Sequence, residues 1–385
     1  MEWPQIDWQV LRSYRWEKVK AVMNEHQLDH ILLMGFDNIR YATDYRTQII
    51  AEATDWCAAL VDISGSVDIF VPWVDEVHQN PEPDLPWIRA VHPLPSWTPA
   101  APHAQYWAKI IIGAMGSARR VGIESGIFEI VEAMKSQADS VDFVEISTAL
   151  YKAREEKHPI EIELLRAASI ANASAAEFAL RNAQAGMTDY DLLALVMSYL
   201  QGHGVEFLSH SLCNHRRGTG TWFAGGSTFA EGDAFFFDIG CYGLGGYASD
   251  IARTGFIGEP NKEIQHAWGV LMEAYALGQA TARPGVKVST VHDTVNAFLE
   301  KAGLPRTPYS MGHGVGLRAC ELPTIHRRDR VQNDEILQEG WVISLEPETA
   351  VEYKGRPMLL KIEDNFVVGR DSLDILSVPS LLAGK

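Results

Sequence analysis

Apolar residues at Val10, Leu11, Tyr14, Val19, Val22 and Met23 recur at roughly helical spacing, which predicts a helix over residues 9–27. The short apolar run His30–Met34 predicts a buried strand. Cys57–Ile63 and Val67–Val71 are two more such runs around Ser64-Gly65-Ser66, a hairpin signal. Asn38–Asp44 reads as a strand-to-loop junction. Residues 78–102, rich in Pro and Trp, read as an irregular surface loop. Tyr106–Ala114 predicts a helix and Val121–Ile123 a short strand. Strands and helices alternate, so this first part is of α/β class.

The pattern changes near residue 155. The charged run Lys152–Lys157 is broken by His158-Pro159, and Glu161–Ala185 then has the spacing of a long Ala-rich helix. Gly186 ends it, and Thr188-Asp-Tyr-Asp191 caps a second helix over Leu192–Gln201. The expected domains are therefore 1–155 and 156–385. A chain of 385 residues is long enough for two domains and a large core. Its net charge of −17 disfavours nucleic acid and anionic membranes as partners. The N-terminal residues lack the basic start and apolar core of a signal peptide, and no stretch of about 20 apolar residues suggests a membrane span. The four cysteines lie far apart without a CxxC pair, which fits a reducing cytoplasm.

Chemistry concentrates in the second half. The apolar run Ala234–Phe237 leads into Asp238, a glycine-rich turn follows, and the strand Tyr247–Ile251 carries Asp250. Such a hairpin would set two aspartates side by side in apolar surroundings. Close buried carboxylates repel and take up protons unless a cation joins them, and aspartate oxygens ligate zinc, manganese or iron. Two further apolar runs end in Glu346 and Glu363, and Gly312-His313-Gly314 sets an imidazole between glycines. Four carboxylates against two divalent ions sum to zero charge.

In order, Asp238, Asp250, His313, Glu346 and Glu363 resemble the five metal ligands of the pita-bread metalloenzymes: methionine aminopeptidase, prolidase, aminopeptidase P and the metal-free creatinase. The surrounding words Gly-Tyr-Ala-Ser-Asp-Ile-Ala-Arg-Thr254, Gly-His-Gly-Val-Gly-Leu317, Glu346-Pro347 and Lys361-Ile-Glu-Asp364 are similar too. The resemblance covers the whole chain. It implies a mixed α/β (α+β) protein with an N-terminal creatinase-like α/β domain and a C-terminal pita-bread domain. It also implies two divalent metal ions (Fe, Mn or Zn) and a homodimer in which one chain's small domain closes the other's site.

Several words depart from the peptidases. The position 17 residues before the first Asp, a histidine in the peptidases, is Thr221, with His210 and His215 nearby but off register. A second accessory histidine is replaced by Cys320, in Gly316-Leu-Arg-Ala-Cys-Glu321. Trp222-Phe223, Lys361, the twelve-residue gap from Asp238 to Asp250, and Asn38–Asp44 preceded by Tyr14-Arg-Trp16 resemble the iron-dependent dimethylsulfoniopropionate (DMSP) lyases of the DddP type. Two of the lyases' aspartates are missing: an extra metal ligand, here Gly240, and a proposed base, here Cys320.

These departures lead to the expectation of a non-peptidase metalloenzyme, a hydrolase or lyase, cleaving a small zwitterionic or cationic substrate. Trp222, Phe223, Tyr247 and Tyr309 would offer aromatic faces to an onium group, worth about 0.5–2 kcal/mol each. The alternative use of such rings is core packing. Arg318 would take a substrate carboxylate, or be solvated. Glu321 is the candidate proton carrier, against a plain surface-loop role. Cys320 is either an ionisable base or ligand or a small filler. Two other readings stand beside this one: an Xaa-Pro aminopeptidase or dipeptidase, and a metal-free or inactive binding homologue.

Overall fold

The computed structural model describes residues 2–46, 57–72, 74, 76–79, 84–94, 103–124, 126–215, 223–353 and 355–377. Two compact units are present: Asp7–Arg154, and Glu155 onward together with the residues up to Ile6.

In the N-terminal unit, α1 (Trp8–Glu25) starts at Asp7, whose carboxylate accepts from the Gln9 and Val10 N–H groups. The helix buries Leu11, Val19, Val22 and Met23. The strands are β1 (His30–Leu33), β2 (Ala58–Asp62), β3 (Val67–Val71), β4 (His78–Gln79), β5 (Ile88–Pro93), β6 (Arg120–Ile123) and β7 (Asp142–Glu145). They form one mixed sheet in the order β4-β5-β3-β2-β1-β6-β7. Besides α1, the helices are α2 (Phe36–Thr43), α3 (Ala104–Met115), α4 (Phe128–Gln137) and α5 (Ser147–Ala153). Trp107, Ile111, Ile130 and Met134 close a core over Leu32, Phe70 and Val121.

Two expectations for this unit are corrected. Asn38–Asp44 is not a strand-to-loop junction but lies mostly in α2, which ends at Asp44 in the left-handed conformation. Asp37 and Asn38 are buried on it: Arg154 Nη1 donates to Asp37 Oδ2 and Asn38 Oδ1 (2.6 Å each), and Asn38 Nδ2 donates to Glu124 Oε1 (2.7 Å). Residues 78–102 include β4 and β5 among the described residues. Ile88, Ala90 and Val91 are buried there, and β5 runs parallel to β3.

The C-terminal unit begins with α6 (Pro159–Asn182) and α7 (Asp189–Gly202). Thr188 caps α7 reciprocally with Asp191. Strands β8 (Phe207–His215), β9 (Ala234–Tyr242) and β10 (Ala248–Phe256) form an antiparallel sheet with β9 central. Phe235, Phe236 and Phe237 are fully buried. Helices α8 (Lys262–Thr281) and α9 (Val288–Lys301) precede β11 (Gly312–Gly314), β12 (Glu321–Ile325), β13 (Val342–Leu345), β14 (Glu348–Tyr353), β15 (Arg356–Lys361), β16 (Asp364–Val368) and β17 (Leu373–Ile375). A five-stranded sheet runs β12-β11-β13-β16-β17, and β14 pairs with β15. The first residues also belong to this unit. Trp3 Nε1 donates to the His203 carbonyl (2.9 Å), whereas the sequence division puts residue 3 with the N-terminal domain.

Candidate metal centre

Strand pairing sets the geometry. Gly240 lies opposite Asp250 on β10, and Asp238 opposite Ala252. Residues two apart on a strand share a face, so both aspartates project from one side of the sheet as diagonal neighbours. On the other flank, β8 places His210 opposite Gly240. One row across the sheet therefore reads His210, Gly240, Asp250.

His313, Glu346 and Glu363 come from β11, the end of β13 and the turn before β16. Gly312 has φ +152°, and a β-carbon there would collide with the Ser344 carbonyl oxygen, so only glycine brings His313 this close to β13. The His313 Nε2 atom stands 3.9 Å from Asp250 Oδ2, 3.7 Å from Glu346 Oε1 and 3.8 Å from Glu363 Oε1. These gaps are too long for hydrogen bonds. They suit donors around one cation, since bonds of roughly 2.0–2.2 Å to zinc put tetrahedral neighbours ~3.4 Å apart. His313 Nδ1 lies 3.1 Å from the Gly314 carbonyl oxygen; donation there leaves Nε2 as the ligating nitrogen.

Glu363 Oε1 is buried with no hydrogen-bond partner, and Asp250 Oδ1 has His210 Nε2 at 3.1 Å. A buried oxygen without a partner is costly unless something charged meets it. Two sets of donors have metal-like spacing: Asp250, His313 and Glu363, and His210, Asp238 and Asp250. Asp250 is common to both. The donors present thus fit divalent cations, which these residues would hold, with Glu346 beside His313.

Lys361 organises the carboxylates from behind. Its ammonium, almost wholly buried, sits 2.5 Å from Asp238 Oδ2, 2.9 Å from Glu346 Oε2 and 3.5 Å from Glu363 Oε2. It takes one oxygen of each, while Asp238 Oδ1 faces His210 and the Oε1 atoms of Glu346 and Glu363 face His313. Burial works to raise the Asp238 pKa, but Lys361 and His210 outweigh it and hold the carboxyl well below its ordinary range. Glu363 is pushed the other way, by burial and by the charge of Asp250. Burial disfavours the charged forms of Lys361 and His210, yet the surrounding carboxylates keep both pKa values raised, His210 to about 11.

Backbone groups fix the ligands' positions. Asn365 accepts from the Asp250 N–H (3.0 Å) and donates to its carbonyl (2.9 Å), clamping that residue from both sides. Arg253, fully buried, donates to the Glu363 carbonyl (2.6 Å) and to Asp364 Oδ1 (2.5 Å).

The remaining sequence candidates scatter. Glu321 is buried on β12, and Lys157 Nζ donates to its Oε1 (2.9 Å). Cys320 is exposed; burial acts to lower the His313 pKa, but Cys320 and the nearby carboxylates outweigh it and raise it. Tyr309 donates to Glu348 Oε2 (2.6 Å), and its ring lies 5.4 Å from the Lys361 ammonium. Burial lifts the Glu348 carboxyl to about 7. Tyr247 is fully buried with its hydroxyl on Glu161 Oε1 (2.8 Å). Phe223 is 73% exposed, and Arg318 is half-buried. Trp222 and Thr221 lie outside the described residues. His210 is the residue the spacing argument missed. It counts 28 residues back from Asp238, and only pairing of β8 with β9 brings it to the site.

Residues 163–370 match the sequence model of metallopeptidase family M24. The chain belongs to that family. Residues 15–155 match the creatinase/prolidase N-terminal domain, and the pita-bread architecture expected from the sequence holds. An Xaa-Pro dipeptidase of Pyrococcus horikoshii is 23% identical over 366 residues, covering 92% of this chain and 95% of its own. Among solved structures, an Xaa-Pro dipeptidase from Bacillus anthracis superposes with a TM-score of 0.78 at 19% identity, covering 96% of this chain and 99% of that one. An X-Pro aminopeptidase from Thermotoga maritima gives 0.78 at 20%, covering 95% and 98%. At these identities the structural likeness shows the fold. Among the described residues, no helix of this M24 enzyme is long and apolar enough to cross a membrane.

These findings correct the expected function. The family is one of metallopeptidases and the relative is named an Xaa-Pro dipeptidase, so the DMSP-lyase-like reading, with its small zwitterionic substrate, is set aside. That reading took Thr221 and Cys320 to mean two lost imidazoles, but strand pairing returns one, His210. It took Lys361 as a lyase mark, but that ammonium is engaged by three carboxylates.

Proposed function

We propose that the chain is an Xaa-Pro dipeptidase-type metallopeptidase working with two divalent ions held by Asp238, Asp250, His313, Glu346 and Glu363. The observation that carries this reading is the convergence of four buried carboxylates and an imidazole at spacings that suit a shared cation, in a chain of family M24. Bound ions would supply Lewis acidity to the scissile carbonyl and to an attacking water. The protein's own part is to hold that set rigid. Asn365 and Arg253 fix the backbone of Asp250 and Glu363, and Lys361 turns three carboxylates inward. The thiol of Cys320 lies against His313, and Glu321, held by Lys157, remains the candidate to carry a proton.

The test is cleavage of the Xaa-Pro bond by the purified chain, read as free proline from Ala-Pro and Gly-Pro and as free alanine with Pro-Ala from Ala-Pro-Ala, with Mn²⁺, Fe²⁺ and Zn²⁺ supplied in turn. Dipeptides are expected to be cleaved and Ala-Ala spared. Asp250→Ala should lose metal and turnover together with an unchanged circular dichroism spectrum. A metal-loaded enzyme that cleaves the Xaa-Pro bond of none of these peptides refutes the reading. The proposal includes a homodimer, expected at twice 42.8 kDa in light scattering of the same preparation. It also includes a cytoplasmic location, which the four free cysteines support.

A further inference from the structure

Three strands cooperate at one point of the β8–β10 sheet. His210 and Asp250 stand on outer strands, with Gly240 between them on β9. Neighbouring strands run about 4.8 Å apart, so side chains on the two flanks of a central strand do not ordinarily meet. Here they do. His210 Nε2 is 3.1 Å from Asp250 Oδ1 and 3.1 Å from Asp238 Oδ1.

Two local features allow it. The first is a bulge in β8 between Leu208 and His210, which leaves Ser209 out of register; bulges re-aim side chains and recur beside active sites. The second is Gly240 itself. A β-carbon there would overlap Ser209 Oγ and the His210 ring. The missing side chain in the middle of the row is the space the imidazole occupies.

The ring is also oriented as a ligand needs to be. His210 Nδ1 lies 2.9 Å from Ser209 Oγ. With Nδ1–H donated to that hydroxyl, Nε2 turns its lone pair toward the aspartates, the arrangement in which an outer partner fixes the tautomer of a metal-bound histidine. The Nε2 atom and one oxygen each of Asp238 and Asp250 have the mutual spacing of donors around one cation.

We infer that His210 is a sixth ligand, completing the cation position formed by Asp238 and Asp250, and that Gly240 and the Ser209 bulge exist to admit it. The inference rests on the two-ion reading of the centre and not on the peptide substrate. It makes the two positions chemically alike: each has one imidazole, His210 or His313, and both share Asp250.

The test is metal binding by the full-length chain, stripped with a chelator and titrated with Mn²⁺ in a calorimeter. X-ray absorption of the Co²⁺ form then counts imidazole nitrogens. The parent should take two ions and show one imidazole per cobalt. His210→Ala should keep the first ion and bind the second at least tenfold more weakly. Gly240→Ala, which removes no donor and only displaces the ring, should behave the same way. Ser209→Ala should weaken the second ion by about 10- to 100-fold. If His210 merely balances carboxylate charge, His210→Ala and Gly240→Ala will bind two ions as tightly as the parent or tighter, with unchanged imidazole scattering, and the inference is overturned. Loss of both ions together in His210→Ala overturns it as well. None of these readouts involves peptide turnover, so a failed proline-release assay would leave this result standing, and the reverse.

Discussion

Single side chains decide how the centre tolerates its own charge. Lys361 is the clearest case, a buried ammonium among Asp238, Glu346 and Glu363. Removing one partner of a buried ion pair costs about 3–5 kcal/mol, because the remaining charge stays desolvated. Lys361→Met is therefore expected to lower unfolding stability by about that amount in chelator. Saturating Mn²⁺ should recover part of the loss, since cations answer the same carboxylates. Urea titrations with and without metal check both halves, and equal stability of parent and variant in chelator would refute the role. At this scale the sequence is informative where a polar residue ends an apolar run: Asp238, Glu346 and Glu363 stand out for that reason, and His313 for its glycines. Asn365 and Arg253 carry no such mark. Each looks like an ordinary polar residue in a strand, and its importance lies in backbone groups distant in the chain. His210 is hidden for a related reason, since a bulge and a neighbouring strand, neither visible in residue spacing, define its place.

Elements differ in how openly they announce themselves. Helices α1, α6 and α7 follow apolar spacing and capping residues, and their ends fall within a few residues of the pattern. The β2–β3 hairpin turns through Gly65 at φ +89°. Strand β5 is obscured by the prolines and tryptophans around it, and becomes legible only through its partner β3. That pair contains a testable polar contact. Asp68 on β3 is buried and accepts from His92 Nε2 (2.8 Å) and from Arg89, both on β5. Burial acts to raise its pKa, but His92 and Arg89 prevail and hold it below the usual aspartate range. A carboxyl depressed in the folded state adds stability that is fully present above its unfolded pKa and is lost as pH falls through the folded one. The parent should thus lose stability relative to Asp68→Asn as pH falls below about 4. The stability difference between them, measured by chemical unfolding from pH 7 to pH 2.5, should shrink toward acid. A difference constant over that range would refute the assignment.

The two compact units answer to different conditions. Leu32, Phe70, Trp107 and Met134 belong to a core of the N-terminal unit; Trp268, Leu271, Ile343 and Phe366 belong to a core of the C-terminal unit, the unit that contains the candidate metal donors. An ion held a hundredfold above its Kd stabilises the folded form by about 2.7 kcal/mol. For a unit of this size that is roughly 5–10 °C per ion. Calorimetry with and without chelator is expected to shift the transition of the C-terminal unit by that much and leave the N-terminal one in place. Equal shifts of both, or none, would contradict the assignment of the metal donors to one unit. The anchoring of Trp3 on the His203 carbonyl has a different consequence, one of timing. Trp3 is synthesised before Asp7–Arg154 and His203 after it, so the segment up to Ile6 meets its partner only once an entire unit has been made. Replacing Trp3 would be felt in the unit formed by Glu155 onward rather than in the unit that follows it in sequence.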